Sequence, residues 1–313
     1  MIRSFTVTNP SGNSLMMELE NPKKSGFFVA GITGLGPPKA DINTTRRAGS
    51  DGSIYNSAKV ESRNIVITLI YYTDNTAGTD GQAIDIEALR QRTYKFFPIK
   101  RQVTLHFVTD RRRASITGYV ESNEIGFFTN MEGSQISIVC NDPWFISEDA
   151  GVTNLRLINT EPLLTFPIYF DEESAENRDH LEFSRKKSRI TGNIPYYGDL
   201  ETGFTLTVTC KSATGDIALS NDTHNETITI SSETVRKLTG SLISSGDRIV
   251  VTTHTGNKTA KLLRGSTVHN IIAAVNKQSK WLKLYSGNNE LSATPTTGRV
   301  EVSIDLKVLY EGM

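Results

Sequence analysis

The chain contains few of the residues that support covalent or metal-based chemistry. Its 313 residues include two cysteines, five histidines and two tryptophans. The cysteines, Cys140 and Cys210, do not make a disulfide framework, and each ends an alternating run, so buried free thiols are expected. The histidines show no metal-ligand spacing, and neither a nucleophile elbow nor a phosphate-loop motif is present. The sequence therefore predicts no catalytic residue, no metal site and no cofactor.

An excess of one charge and long apolar runs are also missing. Lys plus Arg number 34 and Asp plus Glu number 34, so the formal net charge is zero. A dedicated nucleic-acid binder normally carries a basic excess, and no apolar run approaches the roughly 18 residues of a membrane span. The first residues alternate like a strand and do not read as a secretory signal. We expect synthesis in a cytoplasm, no membrane partner and no sequence-specific nucleic-acid partner.

Alternation of apolar and polar residues is the dominant pattern, which indicates half-buried β-strands. Many short strands separated by Gly and Asn turns favour sandwiches or barrels. The predicted strands lie near residues 5–7, 15–19, 65–71, 103–108, 116–120 and 136–140 in the first half, and at 204–210 and 300–308 in the second.

The stretch DGSIYNSAKVESRNIVITLIYY, residues 51–72, joins two kinds of sequence. Its first half has loop composition. Its second half places Ile65, Ile67, Leu69 and Tyr71 on one face, while the other face is only half apolar. A strand that is partly apolar on its second face usually meets another layer or another chain.

Two helices are predicted. In AIDIEALRQRTYKFFPI, Asp85 is placed to cap the N-terminus and Ile84 to form a hydrophobic staple with Leu89. A stripe of Ile86, Leu89, Thr93 and Phe96 or Phe97 is expected to pack on the first domain's sheet. The stretch STVHNIIAAVNKQS, residues 266–279, is predicted to form a short second helix.

A domain boundary is predicted after CNDPWFISEDAGV, giving domains of residues 1–149 and 150–313. Asp142 and Pro143 end the strand that reaches Cys140, since the residue before a proline disfavours helix and the proline lacks a ladder donor. Trp144 is expected to be largely buried at this junction, and truncation near Asp149 is expected to leave a folded first domain.

Three motifs allow both a structural and a functional interpretation. GITGLGPP, residues 31–38, is glycine-rich, but two prolines follow where a phosphate-binding helix would open, so a turn-rich connection is favoured. TDRRRAS, residues 109–115, is interpreted as a hairpin tip rather than a nucleic-acid patch, because no aromatic residues alternate with its arginines. Trp281 in SKWLKLY fits either a sugar-stacking platform or the core of the second domain, and the core is favoured.

The chain resembles the distal tail protein family of bacteriophages. The resemblance rests on GITGLGPPKADI, then DGSIYNSAKVESRNIVITLIYY, YKFFPIKRQVTLHFVTDRRRASITGYVESNEI and EGSQISIVCNDPWF in that order. The later stretches GFTLTV, SGDRIVVTTHTGNKTAKL, SKWLKLYSGNN and YEGM are similar to the C-terminal domain of longer family members.

The resemblance implies a mostly β protein in two parts. An N-terminal β-barrel or sandwich domain with one helix forms a hexameric ring, and a galectin-like β-sandwich follows it. Such a ring sits at the phage tail tip, joins the tail tube to the tip hub or tail-associated lysin, and anchors receptor-binding proteins. The half-apolar second face of residues 65–72 would then meet a neighbouring subunit.

Two alternatives remain at this stage. The second domain would be a host-recognition module if Trp281 or Tyr285 lay exposed in a groove that binds cell-wall carbohydrate. A cell-wall hydrolase would instead need a cleft with paired acids or a metal cluster, for which the sequence has no signature.

Overall fold

The computed structural model describes residues 1–72, 85–126, 131–149, 155–162 and 184–313. The chain divides into two compact units. The first consists of Met1–Ala150 together with Leu309–Met313, and the second of Gly151–Val308. The second unit is therefore inserted into the first, whereas the boundary predicted from the sequence assigned the last residues to the second domain.

The first unit consists of strands and two helices. Its strands up to the insertion are β1 (Ile2–Thr8), β2 (Ser14–Glu18), β3 (Phe27–Thr33), β4 (Ala40–Arg46), β5 (Ser53–Val60), β6 (Arg63–Tyr71), β7 (Gln102–Thr109), β8 (Arg113–Gly126), β9 (Gly133–Cys140) and β10 (Phe145–Ser147). Its helices are α1 (Pro22–Ser25) and α2 (Ile86–Phe96).

The second unit is almost entirely strands. These are β11 (Leu155–Pro162), β12 (Ser184–Tyr196), β13 (Thr205–Cys210), β14 (Ile217–Asn221), β15 (Glu226–Ile230), β16 (Arg248–Thr252), β17 (Thr259–Arg264), β18 (Thr267–Asn270), β19 (Gly287–Pro295) and β20 (Val300–Asp305). It also contains α3 (Ser232–Thr239) and a 3-10 turn at Ile272–Ala274. The chain then returns to the first unit as β21 (Leu309–Tyr310).

An antiparallel sheet in the order β2-β1-β7-β8-β9-β6-β3 forms the first unit. Each predicted strand of the first half lies within one of these strands, so that prediction is confirmed. The alternating apolar side chains turn to one face of the sheet and are buried, as the period-two rule requires. They include Phe5, Val7, Ile65, Ile67, Leu69, Leu105, Phe107, Ile136 and Ile138. Cys140 is a buried free thiol, as predicted, and burial raises its pKa to about 11.

Helix α2 confirms the predicted amphipathic stripe. Leu89, Thr93 and Phe96 are buried, and Phe97, at the C-cap, is fully buried. Asp85 occupies the N-cap position, but its side chain makes no capping hydrogen bond. The predicted staple involves Ile84, which lies outside the described residues.

The stretch of residues 51–72 is only half as predicted. The second half is β6, with its apolar face buried and its other face partly exposed, as expected. The first half is not a loop, because Ser53–Val60 forms β5, which pairs with β4 in a separate two-stranded hairpin. Every residue of both strands is exposed, and the extra residue Asn56 breaks the alternation within β5, so the sequence carries no period-two signal along the whole strand.

The aromatic residue that enters the core after β9 is Phe145, not Trp144. Trp144 is partly buried, whereas Phe145, which the sequence did not single out, is fully buried. The Phe145 ring packs edge-on against Phe107 with centroids 5.9 Å apart, and Phe107 stacks on Phe5 at the same distance. β10 also pairs with both β8 and β21, so Phe145 and Ile146 are held between two strands.

A buried guanidinium ties together four separate segments of the first unit. Arg63, at the start of β6, is 4% exposed. Its Nη1 donates to the carbonyl oxygens of Gly34 at 2.6 Å and Gly36 at 2.5 Å. Its Nε donates to Pro143 O at 2.8 Å, and its Nη2 donates to Glu311 O at 2.6 Å. Burial lowers the pKa of this group, yet an arginine stays charged in proteins, so its charge is balanced here by carbonyl dipoles.

The second unit is a β-sandwich built from one continuous strand order, β15-β14-β19-β12-β11-β20-β13-β16-β17-β18. β11 pairs with β12 on one side and with β20 on the other, and so joins the two layers. Both layers contribute to one core, as facing sheets do in a sandwich. From one side come Ile190, Ile217, Leu219, Ile228 and Leu291, and from the other Leu206, Val208, Ile249, Val302 and Ile304.

The predicted second helix is wrong. Residues 267–270 form strand β18, and only Ile272–Ala274 makes a helical turn, of the 3-10 type. A genuine helix, α3, was missed at Ser232–Thr239, where Ser231 accepts a capping hydrogen bond from the Thr234 amide and Gly240 closes the helix in the left-handed region. Serine before the helix and glycine after it were the available signals. Among the described helices, none is long and apolar enough to cross a membrane.

Replacing Arg63 with methionine tests the buried guanidinium. The substitution removes the donor of four part-buried hydrogen bonds, and hydrogen bonds to a charged group contribute about 1.5–3 kcal/mol each. We expect the free energy of unfolding to fall by at least about 3 kcal/mol in denaturant titrations. Arg3→Met is the matched control, because Arg3 is 70% exposed in its pair with Asp110. A midpoint for Arg63→Met equal to that of the control would contradict the assignment.

The two neighbouring aromatics give a second stability test. Phe145→Ala should lower the free energy of unfolding by about 3–5 kcal/mol, as expected for a fully buried phenylalanine. Trp144→Ala should lower it by clearly less, because Trp144 is only partly buried. Thermal unfolding of the two full-length variants checks the order, and a larger loss at Trp144 would show that the wrong residue has been placed in the core.

Candidate assembly surfaces

The β4–β5 hairpin, called the arm (residues 40–60), is the most unusual surface of the first unit. Isolated two-stranded hairpins are at best marginally stable in water, yet this one carries large apolar side chains in the open. Ile42 is 59% exposed, Tyr55 63% and Val60 43%. Exposed apolar surface of this kind is typical of a site where another protein chain binds.

The register of the arm gathers these side chains on one face. Directly opposed residues of antiparallel strands point to the same side of the sheet. One side is therefore formed by the pairs Ala40–Val60, Ile42–Ala58, Thr44–Tyr55 and Arg46–Ser53. The other side is formed by Asp41–Lys59, Asn43–Ser57 and Thr45–Ile54. The first side, which is apolar up to Tyr55 and ends in the polar pair Arg46–Ser53, is called the apolar face of the arm. The second is polar apart from Ile54.

A β-bulge creates this segregation. Asn43 pairs with Ser57 and Thr44 with Tyr55, so Asn56 is an extra residue in β5. Its Nδ2 donates to the Thr45 hydroxyl at 2.6 Å. Without the extra residue, strict alternation would place Tyr55 on the polar face. The bulge thus moves the largest exposed apolar residue of the arm onto its apolar face.

The outer face of the first sheet is the second candidate. On β6, Val66 and Ile70 are partly buried and alternate with exposed Asn64 and Thr68. Phe28 of β3 lies opposite Ile70 and is 43% exposed. The half-apolar second face predicted for this strand is therefore present, and it extends onto β3.

A polar groove of about 590 Å³ lies on the second unit. It is lined by Thr191, Gly192, Asn193, Thr223, Asn288 and Glu290. Asn193 and Glu290 are directly opposed on β12 and β19. Within the described part of the chain, the side chains of Asn193, Asn288 and Glu290 make no hydrogen bond or ion pair, so their donors and acceptors face solvent.

The two aromatic residues considered for sugar stacking are both covered. Leu282 and Leu284 face the core, so Trp281 is not a core residue as favoured from the sequence; it is partly buried at the core's edge. The Lys258 ammonium lies 5.6 Å from the centre of its ring. Stacking on a saccharide therefore requires Lys258 to move.

Tyr285 is held by its neighbours in the same way. Its hydroxyl donates to Glu226 at 2.7 Å, a bond that raises the pKa of Tyr285 to about 12. The His224 ring lies 4.0 Å from the Tyr285 ring, centre to centre. Neither aromatic is a free platform beside the polar groove.

Three side chains, Thr8, His106 and Glu148, follow one another in the hydroxyl–imidazole–carboxylate order found in hydrolases. The His106 ring contacts Glu148 through Nδ1 and the Thr8 hydroxyl, at 3.3 Å, through Nε2. Thr8, however, lies on β1 between β2 and β7, where the sheet ladders engage the backbone. No oxyanion donor is presented there, so this contact fixes Glu148 to the sheet rather than forming a nucleophile site. Across the described residues, no group of three or more metal-binding side chains occurs.

Comparison with family models and with curated protein sequences finds no match. Among solved structures, the SPP1 Dit (gp 19.1) protein matches with a TM-score of 0.58 at 14% identity, over 96% of this chain and 98% of that chain. That protein is described as a paradigm of the hub adsorption apparatus in phages infecting Gram-positive bacteria.

Chains of the phage p2 baseplate in its activated conformation, with Sr and with Ca, match at 11% identity with a TM-score of 0.48. They cover 98% and 97% of this chain, and 99% and 98% of those chains. Because these scores are below 0.5, the fold assignment rests on the SPP1 protein. The chain therefore has the fold of the bacteriophage distal tail proteins, as its sequence resemblance predicts.

Proposed function

We propose that this protein is a structural component of a phage tail tip. Six copies form a ring that connects the tail tube to the tip hub or tail-associated lysin and anchors host-recognition components. The first unit forms the ring, and the second is an attachment or spacer module without catalytic activity. The fold shared with the SPP1 adsorption hub supports this proposal.

The observation that carries the proposal is the arm. Its apolar face is exposed, while both of its ends are fixed, since β4 follows the clamped carbonyls of Gly34 and Gly36 and β5 leads within three residues into Arg63. An apolar extension anchored at both ends suits insertion against a neighbouring subunit, because its attachment to the sheet is already fixed before binding.

The outer face of the first sheet is the surface we propose to receive the arm. The arm and this face are different surfaces of one unit, so the contact is head-to-tail. Such contacts generate a closed ring when the rotation between copies closes. Covering Val66, Ile70 and Phe28 in this way accounts for their partly apolar, partly exposed character.

The second unit offers one observation in favour of the host-recognition alternative. The polar groove presents Asn193, Asn288 and Glu290 with unpaired side chains, a set that suits a neutral, hydroxyl-rich ligand such as a wall saccharide. Against it, Trp281 and Tyr285 are covered, so the groove lacks the aromatic surface on which sugars usually stack. We therefore retain the spacer role.

Assembly of the ring can be measured directly. Six copies of the 34.6 kDa chain have a mass of six times 34.6, about 208 kDa. We expect this mass by light scattering, and rings by negative-stain microscopy, when the protein is mixed with the tail tube and hub proteins. A chain that remains monomeric in their presence would contradict the proposal.

The arm supplies a matched pair of variants for the same assay. Tyr55→Ser on the apolar face should weaken assembly by about 2 kcal/mol, roughly thirtyfold, as for a central aromatic contact. Ile54→Ser on the opposite face should have a much smaller effect, although Ile54 is also exposed, at 47% against 63% for Tyr55. Equal effects of the two substitutions would show that the apolar face is not the contact.

Calorimetric titration distinguishes the spacer role from host recognition. With wall polysaccharide fragments of the host bacterium, we expect no saturable heat from the full-length protein. Saturable binding that Asn193→Ala abolishes and Trp281→Ala preserves would assign a saccharide site to the groove and overturn the spacer role.

A further inference from the structure

Leu309–Met313, called the strap, returns from the second unit and ends against the foot of the arm. Its first part, β21, pairs with β10, with Tyr310 opposite Phe145 and Leu309 opposite Ile146. The Arg112 guanidinium lies 4.3 Å from the centre of the Tyr310 ring, and Tyr310 is 8% exposed. The strap is thus a docked strand of the first unit.

The strap completes the capture of three consecutive carbonyls before the arm. Arg63 binds the carbonyl oxygens of Gly34 and Gly36, and the Met313 amide donates to Leu35 O at 3.0 Å. Arg63 is itself held by the strap through Glu311 O. Each carbonyl of residues 34–36 therefore depends, directly or through Arg63, on the strap being in place.

The sequence of this foot is suited to such a clamp. Gly34 has a φ of +82°, and a Cβ there would lie 2.1 Å from Asn64 O, so no other residue fits. Pro37 and Pro38 then fix the backbone just before β4 begins at Ala40. This explains the GITGLGPP motif, which the sequence left as a turn-rich connection: it is a rigid foot whose direction is set by the captured carbonyls.

We propose that the strap holds the arm in its assembly-competent direction, so that ring assembly depends on strap docking. This inference rests on the proposed role of the arm as the contact between subunits. Residues 306–308 connect the strap to β20, so a load applied to the second unit reaches the foot of the arm along the chain. The strap is therefore one of the two chain connections through which a molecule bound to the second unit can act on the ring.

A glycine substitution can displace the strap without touching the arm. A Cβ at Gly312 would lie 3.0 Å from Leu35 O and 3.3 Å from the Gly36 carbonyl carbon, so Gly312→Val pushes the strap away from the foot. Gly31→Val is the matched control, because a Cβ at Gly31 meets nothing within 4 Å. Met313→Pro is a second strap variant, which removes only the amide that donates to Leu35.

The readout is trypsin cleavage at Arg46 and Arg47, at the exposed tip of the arm, in the full-length protein. We expect both strap variants to be cut faster than the Gly31→Val control, with melting temperatures close to that of the control. If the arm is competent in one tenth of the molecules, the apparent assembly constant falls about tenfold.

The two proposals fail in different ways. If wild type does not assemble with the tube and hub proteins, the ring proposal fails, while the cleavage rates still test the strap. If wild type assembles and both strap variants match the control in cleavage rate and assembly, the strap inference is wrong. If Gly312→Val alone fails to fold, the cleavage rate and assembly of Met313→Pro decide whether the strap inference holds.

Discussion

The first unit depends on how one buried cation is satisfied. Among the residues that the structure describes, Arg63 has no carboxylate partner; it is surrounded by backbone carbonyls from the arm's foot, the strand exit at Pro143 and the strap. Its guanidinium carbon also lies 4.6 Å from the centre of the Phe145 ring. A planar fork of five donors can serve these four acceptors at once, whereas a lysine has only three donors. The foot of the arm, the strand exit and the strap are thus joined by a single side chain.

The apolar side chains of the first unit fall into a buried set and an exposed set. The sheet and α2 bury their apolar side chains, while the arm keeps an apolar face in solvent. Such a face is a liability for solubility unless it has a partner. A foot fixed by captured carbonyls and two prolines limits the arm to one direction, which favours one neighbour over random association.

The sequence predicted well wherever one face of a strand is buried. The runs through Ile65 and Val103 became strands because burial enforces alternation. It failed where burial is absent, as in β5, where an extra residue breaks the alternation, and it did not single out Phe145 as the aromatic that enters the core. The return of the strap and the node at Arg63 were also beyond the sequence, because they join residues up to 248 positions apart.

In the second unit, too, the buried strand faces were predicted from the sequence, whereas the position of an aromatic residue was not. Its sandwich uses the predicted apolar faces of β13 and β20, and the run beyond Asp305 breaks so that the chain can return to the first unit. The sequence favoured a core position for Trp281, whereas in the structure this side chain lies at the edge of the core, beneath Lys258. The second unit is inserted between two paired strands of the first, β10 and β21, so the chain connects the two units at two points.

The most direct test of the account is hydrogen exchange of residues 40–60, measured by mass spectrometry in the free protein and in the assembly with tube and hub proteins. The account predicts fast exchange of the arm amides in the free protein and strong protection in the assembly, with the amides of the foot and strap protected in both. Equal exchange of the arm in the two states would contradict the claim that it joins neighbouring subunits.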